Sequence, residues 1–139
     1  MLNFYNKNMN LKTIFKRLVL LQLLFFILFI FLIFVPASEE VTRFNDYSLQ
    51  QNSNINMVFV LYGIYMLGSL IILFLLYKFK SIAKPAYLFL YILGAILVLL
   101  SGPIAMDSWI GVLDGIAMTV SGGILVLLYF SPIKKEFDK

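Results

Sequence analysis

The chain has 139 residues, 62% of them hydrophobic and 13% charged, with a formal net charge of +4 and neither Cys nor His. A water-soluble domain carries roughly a quarter charged residues, so bulk water is not this chain's main solvent. The missing Cys and His exclude disulfides, thiolate or imidazole metal ligands, cysteine nucleophiles and histidine bases.

The N-terminal stretch carries Lys7, Lys12, Lys16 and Arg17 and is followed by an apolar run over residues 18–35 in which only Gln22 is polar. Eighteen residues at 1.5 Å rise give about 27 Å, close to the hydrocarbon thickness of a bilayer. The run lacks small residues that would admit a neighbouring backbone, so much of it is expected to face lipid. A secretory signal peptide is the rival reading, because a basic region precedes the run and Val35-Pro36-Ala37 offers small residues at the two positions a peptidase reads. Against it, the run exceeds the roughly 7 to 15 apolar residues typical of such leaders.

Residues 36–56 are polar and acidic, with Glu39, Glu40 and Asp46 against Arg43. Ser38 is placed to cap a helix, the two Glu residues would lie in its first turn, and Glu39 would meet Arg43 one turn on. Val41, Phe44 and Tyr47 or Ser48 would share a face, giving a short helix on the membrane surface. A solvated connector is the alternative, given Gln50-Gln51-Asn52-Ser53-Asn54.

A second apolar run covers residues 57–77, with Asn54 or Asn56 as its cap, Gly63, Gly68 and Ser69 easing its packing, and tyrosines read as interfacial. The loop 78–84 is short and basic, with Lys78, Lys80 and Lys84. A third span, residues 85–103, has Pro85 in its first turn and a close-contact patch at Gly94 and Ala95, and then either kinks at Pro103 or turns into a loop. Trp109 marks the outer headgroup level, and a fourth span follows over residues 110–130 until Ser131-Pro132 ends it before Lys134, Lys135 and Lys139. With so short a connection, the third and fourth spans should be antiparallel neighbours.

Ten of the eleven cations thus fall into three clusters, with Arg43 alone elsewhere. Cytoplasmic loops beside spans collect Lys and Arg, so the expected fold is an all-α integral membrane four-helix bundle of antiparallel hairpins with both termini inside. It forms a single membrane domain, with 36–56 outside and 78–84 and 131–139 in the cytoplasm. A bacterial inner membrane is the expected location.

The fourth span carries the chemistry. At 100° per residue, Gly111, Gly115, Met118 and Gly122 form one stripe, flanked by Thr119 on one side and by Asp114, Ala117 and Ser121 on the other. Val112, Leu113, Ile116, Val120, Ile124 and Leu127 make the opposite face, expected to meet acyl chains while the small face packs on helices. Gly111 and Gly115 form a GxxxG; Gly111, Gly115, Ser121 and Gly122 are therefore the expected packing residues. Asp114 lies five residues past Trp109, about 7 Å deep. It is read as an interfacial carboxylate or, in the competing reading, as a cation or proton site.

No nucleophile with a base, no metal cluster and no phosphate loop accompanies these residues, so an enzyme is not expected and neither is a cofactor. Nucleic acid is excluded as a partner because the cations flank spans and form no stripe interleaved with aromatics. The bilayer, a membrane-protein partner or a second copy remain. Two function classes follow: an accessory, assembly or immunity-type protein acting through helix contacts, or an oligomeric channel or carrier for a small cation or proton through Asp114.

Overall fold

A computed structural model describes residues 2–51 and 55–138, with side chains described for 11–50 and 56–138. Regular structure there is entirely helical: α1 (Leu2–Leu32), α2 (Glu39–Gln51), α3 (Ile55–Tyr77), α4 (Ala83–Ser101) and α5 (Ser108–Phe130), then a 3₁₀ turn over Pro132–Glu136. Four stretches are long and apolar enough to cross a membrane: Leu11–Leu32, Asn56–Tyr77, Ala83–Ser101 and Ser108–Phe130. The outward surface suits lipid, since Phe34 and Leu99 are each 81% exposed and Phe130 is 85% exposed. Apolar surface this continuous on a protein in water would drive aggregation.

α1 begins well before the apolar run and ends at Leu32. The amides of Ile33, Phe34 and Val35 still bond to the carbonyls of Phe29, Phe31 and Leu32 as a closing turn. Pro36 stops further winding because it has no N–H and disfavours helical backbone in the residue before it. α2 starts where its sequence supplies the signals. The Ser38 carbonyl accepts from the Thr42 amide at 2.9 Å and the Thr42 hydroxyl at 3.0 Å, Glu39 and Glu40 occupy the first turn, and Arg43 Nη2 donates to Glu39 Oε1 at 2.8 Å. Of the expected caps for α3, Asn56 lies inside the helix and Asn54 lies outside the described residues.

Two connections rest on left-handed backbone. Gly102, at φ 74°, ends α4 and turns the chain into the segment 102–107, so the helix breaks before Pro103 and does not kink through it. Phe79, at φ 53°, closes α3: its amide bonds to Leu76 O and the Lys80 amide reaches back to Leu75 O at 3.0 Å. This is the hydrogen-bond pattern that glycine usually supplies at a helix end, and a side-chain-bearing residue adopts it at a cost.

α5 packs chiefly on α1 and only marginally on α4, whereas α3 packs chiefly on α4; α1 and α3 also touch. The expected neighbourhood of the last two spans is therefore the weaker one. The core joins Phe15 and Val19 of α1 to Leu73 and Leu76 of α3, Val120, Ile124 and Leu128 of α5, and Ile133 and Phe137 beyond it. Inside hydrocarbon, close dispersion contact holds such residues together in place of expulsion from water.

At one end of the molecule the chain folds back on itself. Phe79 lies 5.6 Å from Phe15 and 5.2 Å from Phe137 between ring centroids. Lys12 pairs with Glu136 at 2.8 Å and Lys84 with Asp138 at 3.4 Å. Lys16 stands 4.9 Å above the Tyr77 ring. Among the described residues, the segments that carry the three basic clusters therefore meet at this end.

Candidate functional site

The connection between α4 and α5 is tied to α2 and to Ser38 just before it by hydrogen bonds. Asn45 Nδ2 donates to Ala105 O at 3.0 Å and Asn45 Oδ1 accepts from Ala105 N at 2.8 Å. Ser48 Oγ donates to Pro103 O at 2.7 Å. The Ser38 amide donates to Asp107 Oδ2 at 3.2 Å. Asp107 immediately precedes α5, so the start of that helix is tied to a residue 69 positions earlier in the chain.

α5 then buries Ala117, Val120, Ile124 and Leu128. Val120 and Ile124 belong to the bulky face expected to meet lipid, so that edge of the face turns inward, while Val112 and Ile116 on the same face stay exposed. The glycine stripe turns the other way: Met118 is 54% exposed, and among the described residues a Cβ built at Gly115 or Gly122 would meet no atom within 4 Å. Gly111 is approached by Met106 Sδ at 3.8 Å. Close packing at a glycine occurs elsewhere, where a Cβ on Gly94 of α4 would lie 3.0 Å from the Tyr65 hydroxyl. Asp114 is half-buried on the flank of the stripe, and Ser121, two turns on, donates to Ala117 O at 3.0 Å.

Between the four spans lies a cavity of about 60 Å³ lined by Gln22, Phe26, Tyr65, Ser69, Leu73, Tyr87, Leu90, Tyr91 and Ser121. Its polar groups come from every span. Ser69 Oγ donates to Tyr65 O at 2.7 Å, and the Tyr87 hydroxyl stands 3.5 Å from Ser121 O. Gln22 Oε1 is buried without a hydrogen-bond partner among the described residues. A water needs roughly 10 to 15 Å³ of such space, so the cavity takes a few water-sized hydrogen-bonding molecules. Asp114 is not among its lining residues, and no cluster of three or more metal-ligating side chains occurs among the described residues.

Of the candidate site residues expected on the fourth span, only Ser121 enters this cavity. Its other members carried a weak signal: Gln22 is the one polar residue of its run, and Tyr65 with Ser69, and Tyr87 with Tyr91, repeat at one helical turn on α3 and α4. No protein-family model, curated protein or solved structure matches the chain.

Proposed function

We propose that this is a non-enzymatic polytopic membrane protein of the bacterial inner membrane, a four-helix bundle with both termini in the cytoplasm, acting through helix contacts as an accessory, assembly or immunity-type protein. The observation that carries this reading is the outward glycine stripe of α5, where among the described residues no atom lies within 4 Å of a Cβ placed on Gly115 or Gly122. Small residues let helix backbones approach, and in lipid such approach is a main source of association. The orientation draws support from the gathering of the basic clusters at one end. Because a Cβ at Gly115 or Gly122 meets no atom within 4 Å among the described residues, Gly115→Leu and Gly122→Leu place their added bulk on the side open to another chain. Copurification from mild detergent should lose the partner, or the second copy, in both variants. Retention of the same complex by both contradicts the proposal.

A second reading is transport of a small cation or proton, supported by the polar cavity whose Ser121 lies two turns from Asp114. It requires that Asp114→Asn abolish flux in reconstituted vesicles, and unchanged flux removes it.

A further inference from the structure

A groove of about 360 Å³ runs between α1 and α3 toward the basic end, walled by Leu20, Leu23, Leu70 and Phe74 and ending at Tyr77 and Lys78. Two ammonium groups stand over rings that line the groove: Lys16 Nζ is 4.9 Å from the Tyr77 centroid, and Lys78 Nζ is 5.8 Å from that of Phe74. Two other lysines at this end pair with carboxylates, Lys12 with Glu136 and Lys84 with Asp138. Among the described residues neither Lys16 nor Lys78 lies in an ion pair. An apolar channel in a membrane-spanning surface, closed at headgroup level by two uncompensated cations, is complementary to one kind of molecule.

We propose that this groove binds an anionic phospholipid, with an acyl chain between α1 and α3 and the phosphate between Lys16 and Lys78. Basic pockets between spans select anionic headgroups, and a zwitterionic lipid would bring its own cation toward the lysines. The apolar walls hold the chain by contact, which a soluble phosphate would forgo.

The test is native mass spectrometry of the protein, purified in a nonionic detergent and offered equal amounts of phosphatidylglycerol and phosphatidylcholine with identical chains. The wild type should retain phosphatidylglycerol in about twenty-fivefold excess, since two cations each contribute roughly fivefold. Lys16→Gln with Lys78→Gln should bring the ratio near one, whereas Lys134→Gln with Lys135→Gln, at the same end, should leave it intact. Leu70→Trp, which fills the groove and touches no charge, should lower retention of both lipids and serves where the lysine pair fails to fold. Equal retention by the wild type, or a preference that survives the Lys16 and Lys78 changes, overturns the proposal. So does displacement of the lipid by glycerol phosphate, which has no chain.

Discussion

The side-chain amide of Asn45 and the backbone of Ala105 exchange two hydrogen bonds, 3.0 and 2.8 Å long, across sixty residues of sequence. One side chain thereby satisfies both the donor and the acceptor of a residue in the turn between α4 and α5. Asn45→Ala removes both bonds and should lower stability by about 1 to 3 kcal/mol. It should also speed hydrogen exchange at the Ala105 amide, while exchange in the centre of α5 stays slow. Asn45→Asp keeps the acceptor but sets a carboxylate oxygen against the Ala105 carbonyl, and should cost at least as much. Thermal unfolding in detergent measures the stability change, and amide exchange measures its location.

At the opposite end, Phe79 combines a left-handed backbone with a ring seated between Phe15 and Phe137. Removing the ring should be costly, yet the backbone favours glycine. Phe79→Gly should therefore be the more stable of two truncations, exceeding Phe79→Ala by about 1 kcal/mol. In a regular helix the order reverses, so denaturation of the two variants side by side checks the conformation directly.

The C-terminal segment is held by packing more than by charge. Phe137 is 1% exposed, while the Lys12–Glu136 pair is partly solvated, at 42% and 24% side-chain exposure. Glu136→Gln should cost less than about 1 kcal/mol. Phe137→Ala should cost about 3 kcal/mol and release the 3₁₀ turn to proteolysis. Limited digestion followed by mass measurement distinguishes the two.

Among the described residues, Gly94 is the glycine where an added Cβ meets its nearest neighbour at the shortest distance. Gly94→Ala would press a methyl toward the Tyr65 ring, whose hydroxyl, Cε2 and Cζ lie 3.0, 3.3 and 3.3 Å from the Cβ position. The α3–α4 contact should weaken by about 1 kcal/mol. Gly115→Ala, with open space, should leave unfolding within about 0.5 kcal/mol of wild type. Unfolding midpoints of the two variants make the comparison.

These contrasts mark what could be read from the sequence. The four long apolar helices were legible because crossing hydrocarbon demands length and apolarity, both visible in any window of the chain. The start of α2 was legible as well, since Glu39 and Arg43 lie one turn apart and their pairing is local. The rotation of each helix about its axis was not. Lipid and protein interior are both apolar, so Val120 and Ile124 read as lipid-facing although they pack in the core. For the same reason Tyr65 reads as interfacial, Ser121 as a packing residue and Gln22 as a lone polar residue of its run, although with Tyr87 they line one cavity. The α1 start also escaped a hydropathy reading, because helix formation in residues 2–17 does not require apolar side chains.

The open face of α5 carries the proposed function, and Met118 lies at its centre, 54% exposed between Gly115 and Gly122. A photoreactive amino acid in place of Met118, activated in native membranes, tests that face directly, with Leu99 of α4, 81% exposed, as the control position. Protein adducts should form from position 118, disappear when Gly115→Leu is added, and be absent from position 99. No protein adduct at position 118, or equal adducts at both positions, would contradict contact through the glycine face.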